Sequence, residues 1–546
     1  MLALLGTICA PFLVSFVRRP QPLFLIPPTV LIFLLFPIAA PHGVVFYRDP
    51  IFNFHFSDAT VASGFWSPGA FPVWARVYSY YPVGNLYLGI AVAASGVPGP
   101  YAFAWAEPLL RLLAIPTIVY AIARRFYEPR VAALSVLFYL GTASILFNSP
   151  VQQGMGAIFF GLSVLVLAMM ATTEDRSARF RLRIVFVLCS TALVFTHHLS
   201  SYLFGMWLGA VALLSFIAWG RARLRPLRLE LHLDIYLAAL AVDIVIVSTP
   251  VLLSQLNTAE GILVVFFQPP EAGGAGLGHT FATWEVAWLG MATLAPAVLA
   301  FLAIRGRHAA DVDPFLLAGG LVAFGMLGVT LPLLATKLNY IPLRVSEFTN
   351  FLVAPLAAAT ILRWSDGFAR GEARILRWRV RRGRTVLVIA SGLLVVLVFM
   401  GGNLAPLTLR PYYEAPRDRL SDSPLYLGAD ALRASSWATR FGTARVWGDQ
   451  LVLSVFAGFA SMDAEFGQYR VFANATMNAS AWGRLQVGDY VIVDRYMLNS
   501  LPDFLDTILP TAPLPRANVD KFASDPHFAL AYQDATFSVY VVMSVP

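Results

Sequence analysis

Apolar runs long enough to cross a lipid bilayer recur along the sequence from residue 2 to about residue 402. A helix needs about 20 apolar residues to span a hydrocarbon core roughly 30 Å thick. Hydrophobic residues make up 58% of the 546 positions and charged residues only 13%, whereas soluble domains contain about 25% charged residues. The pattern excludes an ordinary soluble protein and predicts a polytopic α-helical membrane protein.

About twelve segments have the length and apolarity of membrane spans. They are residues 2–17, 22–40, 102–123, 131–149, 153–172, 183–198, 201–220, 233–255, 284–304, 315–336, 345–363 and 385–402. The segment Tyr81 to Val97 is also apolar, but counting it as a span would place the basic cluster at 124–130 on the wrong side. We interpret it as an interfacial or re-entrant helix on the outer side.

The basic residues are distributed unevenly between the two sets of loops. One set holds 23 arginines, and the short loops of the opposite set hold only Arg48, Arg76, Lys337 and Arg344. Because cytoplasmic loops carry the excess of basic residues, this asymmetry predicts a multi-pass protein of the cytoplasmic membrane with both termini outside. The arginines mark loop sides and form no cluster interleaved with aromatic residues, so binding of nucleic acid is not expected.

The composition divides the chain into a membrane domain, residues 1–402, and a polar segment, residues 403–546. The first outer loop, about residues 41–101, is long and rich in aromatic residues. In the polar segment, residue patterns predict strands at 490–494 and 537–542 and helices near 429–438 and 497–509. We expect a small extracytoplasmic α/β or α+β domain. Its 11 basic and 14 acidic residues do not favour binding of an anionic polymer.

The first outer loop contains the acidic residues Asp49 and Asp58, with His55 between them. A carboxylate at the mouth of a membrane domain can meet a lipid-borne reactant, take a proton from an acceptor hydroxyl, or hold a divalent cation. The alternative is that both aspartates cap or solvate a loop, since Asp-Pro is a common turn start. No spacing demands a metal, although magnesium or manganese is compatible with these ligands.

Two further outer segments contain ionisable residues at the ends of spans. His197 and His198 lie at the outer end of one span and can support a substrate site or simply bond a loop. Arg344, with Lys337 close by, suits contact with a phosphate. Glu347 follows Arg344 by three residues, so an ion pair within one helix is the alternative.

Two other candidates depend on what lies near them. Arg111 is inside a span near its outer end and must find an anion, such as Glu107 one turn earlier or a first-loop carboxylate. Glu271 and His279 flank a segment rich in glycine and proline. That segment is typical of a flap that closes over a substrate, or of a plain flexible connection.

These residues together resemble a known family over roughly residues 41 to 220. The resemblance lies in the Asp-containing first loop, Tyr81-Pro82, Leu110-Arg111-Leu112, and the span that ends Ala123-Arg124-Arg125-Phe126-Tyr127. The family is the C-class of integral-membrane glycosyltransferases, which includes the dolichyl-phosphate-mannose protein mannosyltransferases, the aminoarabinose lipid A transferases and, more distantly, the oligosaccharyltransferases.

The resemblance implies an inverting transferase that takes a sugar from a polyprenyl-phosphate donor in the membrane lipid and delivers it to a protein, glycan or lipid acceptor. By analogy, Asp49 or Asp58 is the catalytic carboxylate, and Arg344, Lys337 and Arg111 face the donor phosphate. The Asp-Glu pair of the protein mannosyltransferases and the Trp-Trp-Asp motif of the oligosaccharyltransferases are absent. A monosaccharide donor is therefore favoured over a whole oligosaccharide. A lipid transporter or flippase and a non-catalytic envelope assembly protein are the alternatives.

Overall fold

The computed structural model describes only part of the chain. The described residues are 25–26, 29–30, 48–66, 80–96, 99–142, 152–219, 230–243, 283–305, 312–335, 340–369, 394, 429–441, 445–460, 462–464, 468–499 and 513–546. The predicted spans at 2–17, 22–40 and 385–402 lie almost wholly outside these ranges. The total number of spans therefore stays a prediction.

Helices make up the described residues before position 370. They are α1 (Arg48–Ser63), α2 (Pro82–Ser95), α3 (Gly99–Phe126), α4 (Pro129–Thr142), α5 (Gln152–Thr172), α6 (Arg176–Val194), α7 (His198–Trp219), α8 (Glu230–Val242), α9 (Thr283–Arg305), α10 (Pro314–Thr330) and α11 (Tyr340–Ala369). Each predicted span between residues 102 and 363 overlaps one helix from α3 to α11. Within the described ranges, four segments have the length and apolarity needed to cross a membrane, and they belong to α3, α5, α10 and α11.

Helix α11 is the central element of this bundle. It packs against α4, α9 and α10, and the whole apolar window of its spanning segment is buried. Proline and capping residues fix where several neighbours begin: Pro314 occupies the first turn of α10, and the Asp313 carboxylate accepts the Phe315 N–H at 2.8 Å. Proline is tolerated there because the first turn has no intrahelical acceptor for its missing N–H. The apolar segment of α11 thus lies inside a packed core.

The first outer loop differs from its predicted form at the Asp49-Pro50 step. A turn starting at Asp49-Pro50 was one expectation for this segment, but α1 already begins at Arg48 and ends at Ser63. Pro50 lies in the first turn, where proline is compatible with a helix, and Gly64 adopts a positive φ of 74° just beyond the last turn. Helix α2 contains 14 residues, too few at 1.5 Å each to cross roughly 30 Å.

The described residues from 429 to 546, which we call the C-terminal layer, form a mixed sheet with helices. Its elements are α12 (Ala429–Phe441), β1 (Arg445–Trp447), α13 (Gln450–Ala460), β2 (Asp463–Ala464), α14 (Tyr469–Phe472), α15 (Ala479–Trp482), β3 (Tyr490–Asp494), α16 (Tyr496–Asn499), α17 (Arg516–Ser524), β4 (Phe528–Gln533) and β5 (Phe537–Val542). The strand order is β2-β1-β3-β5-β4. β1 pairs in parallel with β2 and β3, and β5 pairs antiparallel with β3 and β4. The strands predicted at 490–494 and 537–542 are β3 and β5.

Two buried aspartates lie at the ends of the parallel strands β1 and β3: Asp449 follows β1, and Asp494 is the last residue of β3. Asp449 accepts the backbone N–H groups of Leu451 and Val452, each at 3.0 Å. Asp494 accepts those of Tyr496 and Met497, at 2.8 and 3.0 Å. Burial, and then the charge of Asp449, raises the pKa of Asp494 well above its usual range. One proton shared between the two carboxyl groups relieves their repulsion.

Asp494→Asn is expected to stabilise the C-terminal layer at alkaline pH. A carboxyl group whose pKa is raised by folding stabilises the fold below its unfolded pKa, near 4, and loses that contribution as pH rises through the folded value. The amide keeps the capping oxygen and carries no charge. We expect a gain of about 1 kcal/mol at pH 8 and a flatter pH dependence, measured by pulse proteolysis of the purified full-length protein between pH 4.5 and 8.5.

Asp489→Asn is the matched control for this prediction. Asp489 accepts hydrogen bonds from the Arg445 guanidinium at 2.9 and 3.2 Å and from Trp447 Nε1 at 2.9 Å. The same substitution there weakens an ion pair and should destabilise the layer across the range. Equal destabilisation by both variants at pH 8 would contradict the shared-proton interpretation.

Candidate functional site

A cluster of charged and amide side chains is buried where α3, α5 and α11 meet. The Arg111 guanidinium hydrogen-bonds to Glu347 Oε1, and Arg111 Nη1 lies 4.0 Å from Glu107 Oε1. Gln153 Nε2 donates to Glu347 Oε2 at 3.0 Å. All four side chains are buried. We call Glu107, Arg111, Gln153 and Glu347 the buried charge cluster.

Gly154 gives this cluster the room that it occupies. A Cβ atom at this position would lie 1.6 Å from Glu107 Oε1 and 2.8 Å from Arg111 Nη1. Only a glycine therefore lets α5 lie this close to Glu107 and Arg111 of α3, directly after Gln153, which bonds Glu347. Charged groups inside a packed membrane bundle are costly unless paired, and the cluster provides that pairing.

The turn between α6 and α7 fixes the orientation of His197. The Ser200 backbone N–H donates to His197 Nδ1 at 3.3 Å, and Ser200 Oγ lies 2.8 Å from the same nitrogen. Because a backbone N–H can only donate, Nδ1 is an acceptor and the ring of a neutral His197 carries its proton on Nε2. This bonding matches the loop-stabilising role weighed for the histidine pair.

His198 faces a different set of neighbours at the same ends of the helices. Its ring centroid lies 5.4 Å from that of Tyr81 and 6.3 Å from that of Tyr202. Within the described residues, His198 Nδ1 is buried without a hydrogen-bond partner. Arg344 is half-buried and lies close enough for its charge to act on both imidazoles. A cation and an imidazole at one span end suit an anionic group.

Adjacent glutamines connect this region to the buried charge cluster, and sequence reasoning missed them. Gln153 bonds Glu347, while Gln152 Nε2 donates to the Tyr81 carbonyl at 3.4 Å. The Val83 N–H donates to the Phe195 carbonyl at 3.2 Å, so the start of α2 also bonds the α6–α7 turn. The sequence did contain one indication of their role: Gln152 and Gln153 are two amides at the start of an apolar span, where polar side chains need partners.

The first-loop helix α1 contributes Asp58 and His55. Asp58 is exposed on one side, yet partial burial still raises its pKa, and within the described residues it forms no hydrogen bond or ion pair. Burial lowers the pKa of His55 to about 4, although a hydrogen bond to the Gly458 backbone opposes that shift. An ionisable carboxylate with a raised pKa and no fixed partner suits a general base.

Several predicted site residues lie outside the description. Asp49 belongs to the first turn of α1, but its side chain is not described, and Lys337, Glu271 and His279 fall in undescribed ranges. Their roles stay predictions. The described residues also contain no group of three or more His, Cys, Asp or Glu side chains that could hold a metal ion.

Comparisons with known proteins give structural matches and no sequence match. No protein-family model matches the sequence, and neither does any curated protein. The archaeal oligosaccharyltransferase AglB from Archaeoglobus fulgidus, in complex with an inhibitory peptide and a dolichol-phosphate, matches with a TM-score of 0.58 at 10% identity. ArnT from Cupriavidus metallidurans bound to undecaprenyl phosphate matches with a TM-score of 0.55 at 11% identity.

The extent of both matches decides the fold. The ArnT match covers 95% of this chain and 97% of ArnT, and the AglB match covers 88% of this chain and 69% of AglB. The chain has the GT-C fold. This agrees with the family resemblance found in the sequence. In the GT-C fold of this chain, the buried charge cluster, the histidine turn and Arg344 meet at one end of the bundle.

Proposed function

We propose that this GT-C protein transfers a sugar from a polyprenyl-phosphate donor to an acceptor at the outer face of the cytoplasmic membrane. The observation that carries the proposal is the position of Arg344 close to His197 and His198 at the helix ends. ArnT and AglB share the fold, and both have been crystallised with a polyprenyl phosphate. A half-buried guanidinium is suited to bind the phosphate of such a lipid.

The proposed reaction is a single displacement at the anomeric carbon. The acceptor oxygen forms a bond to that carbon, and the bond between the carbon and the donor phosphate oxygen breaks. The leaving polyprenyl phosphate keeps the electron pair, and the acceptor proton passes to a first-loop carboxylate, Asp58 or Asp49. Attack opposite the leaving group inverts the anomeric configuration. Arg344 stabilises the charge that develops on the phosphate.

The other candidate residues take supporting roles in this proposal. Arg111 is fully buried against Glu347, so we assign it the role of orienting the first turns of α11. Arg344 belongs to the same turns and precedes Glu347 by three residues. His197 holds the turn that presents His198. Lys337 is proposed as a second cation for the phosphate, and Glu271 and His279 as contacts from a flap. A magnesium or manganese ion held by the first-loop carboxylates stays a prediction.

Mass spectrometry of lipid extracts tests the proposal directly. Cells carrying the wild-type gene, a deletion, Asp58→Asn or Asp49→Asn at equal protein levels are compared. We expect a polyprenyl-phosphate sugar to accumulate in the deletion and in at least one carboxylate variant, because the amide cannot take the acceptor proton. Asp175→Asn is the control: Asp175 caps α6 through N–H bonds of 3.0 Å, and asparagine caps equally well.

Each outcome separates the competing functions. An unchanged lipid pool in the deletion would refute a donor-consuming enzyme and favour the envelope assembly function. Accumulation in the deletion alone, with both carboxylate variants like wild type, would refute the assigned base and favour a transporter of the same lipid.

A further inference from the structure

Helix α1 is held between the membrane helices and the C-terminal layer. On one side it packs against α2, and on the other against α13. Among the described elements, the α1–α13 contact is the principal one that joins the C-terminal layer to the helices before residue 370. The contacts that hold α13 in place therefore also restrict the position of α1.

The contact between α1 and α2 is close and sensitive to side-chain volume. A Cβ atom at Gly89 would lie 2.7 Å from Val61 Cγ2 and 2.9 Å from the Ser57 carbonyl oxygen. Phe54 packs in a small separate cluster with Leu88 of α2. These contacts place one face of α1 on the membrane helices and leave its opposite face for α13.

His55 of α1 forms a polar link to α13. The His55 ring hydrogen-bonds to the backbone of Gly458, and this bond favours the protonated ring, as a carbonyl acceptor does. Gly458 lies two residues before the end of α13 at Ala460. The last four carbonyls of a helix have no intrahelical donor, so His55 supplies one from another element.

Helix α13 is a rigid base for such a link. Asp449 caps its first turn, and Val452, Val455 and Phe456 are each 0% exposed in the core of the C-terminal layer. An element packed on nearly all sides has few alternative positions. Movement of the His55 anchor point is thereby restricted.

We propose that the C-terminal layer positions the first-loop helix for sugar transfer, with His55 as the positioning residue that connects α13 to Asp58. This inference rests on the proposed function and deepens it. Asp58 follows His55 by three residues and lies about 4.5 Å further along the helix axis. Because the two residues are this close on one rigid helix, a shift of α1 at His55 displaces the Asp58 carboxylate by a comparable distance. Displacements of about 1 Å from the productive geometry can reduce rates by about 100-fold.

The test combines transfer kinetics with hydrogen exchange in the full-length protein. His55→Phe keeps an aromatic ring but removes the donor, whereas His55→Asn and His55→Gln place an amide N–H near the position of one or the other ring nitrogen. For His55→Phe we expect kcat to fall by about 10- to 100-fold with KM for the lipid donor unchanged, since Arg344 belongs to another helix. Amide exchange in α1 should accelerate, and one amide variant should restore both readouts.

His527→Phe is the matched control, because His527 bonds Asp525 at 2.7 Å within the C-terminal layer. This variant should leave kcat and α1 exchange unchanged. Wild-type kcat or wild-type α1 exchange in His55→Phe would overturn the proposal, as would failure of both amide variants to restore activity. If Asp58→Asn, Asp49→Asn and Arg344→Gln all left transfer intact, the assigned roles of these residues would fail. If the wild-type protein transferred no sugar from the lipid donor, the proposed function would fail, while α1 exchange would still report on the link.

Discussion

Arg344→Gln is expected to lower the rate of sugar transfer by about 100- to 1,000-fold. Loss of one donor aimed at developing charge has an effect of this size in other enzymes. The guanidinium is half-buried beside two imidazoles, where water screens charges less than at an open surface. Arg344→Lys should recover part of the loss, because an ammonium keeps the charge without the bidentate geometry.

Arg363→Gln is the matched control for this prediction. Arg363 lies on the same helix, α11, is also half-buried, and sits at the opposite end from the histidine turn. The measurement is transfer kinetics in lipid nanodiscs, together with the affinity for undecaprenyl phosphate. A rate for Arg344→Gln within threefold of Arg363→Gln would show that Arg344 does not act on the donor phosphate.

Helix positions were predictable from sequence, and the partners of buried polar groups were not. Apolar length and charge asymmetry act locally, so the helices from α3 to α11 follow from the spacing of apolar residues. The early start of α1 was missed because Asp-Pro is as compatible with a first helical turn as with a loop. Local sequence does not distinguish the two.

The candidate site shows the same limit. Arg111 could be predicted to need an anion, and either Glu107 or a first-loop carboxylate was expected as its partner. Its closest partner is Glu347, 236 residues away in the sequence, and nothing in the sequence pairs the two. Gln153 and Gly154 complete the cluster for the same reason: their roles depend on how closely α5 approaches α3.

Arg111→Met is expected to destabilise the protein by about 3–5 kcal/mol. The substitution keeps much of the side-chain volume but leaves Glu107 and Glu347 buried together without their cation, and removal of one partner of a buried pair has a cost of this size. The apparent unfolding temperature in detergent should fall by roughly 10 °C. Because unfolding of a membrane protein is often irreversible, all variants are compared at one heating rate.

Arg130→Met is the same chemical change at an accessible ion pair. Arg130 Nη2 lies 2.7 Å from Glu128 Oε1 and 3.3 Å from Asp366 Oδ2, with 24% of its side chain exposed. Pairs in contact with water contribute about 0–1 kcal/mol, so this variant should change little. If the apparent unfolding temperature fell equally in Arg111→Met and Arg130→Met, burial of the Arg111 ion pairs would not explain the loss of stability.

A neutral replacement of the whole cluster separates the cost of an unpaired charge from a loss of packing. In Arg111→Met combined with Glu107→Gln and Glu347→Gln, no charge remains and the amide of residue 347 can still bond Gln153. Uncharged replacements of buried ion pairs are often neutral in stability, so most of the lost stability should return. If the triple variant is as unstable as Arg111→Met, side-chain packing rather than charge pairing makes Arg111 necessary. If it regains stability but transfers sugar slowly, the ion pairs serve chiefly to orient the start of α11 and, with it, Arg344.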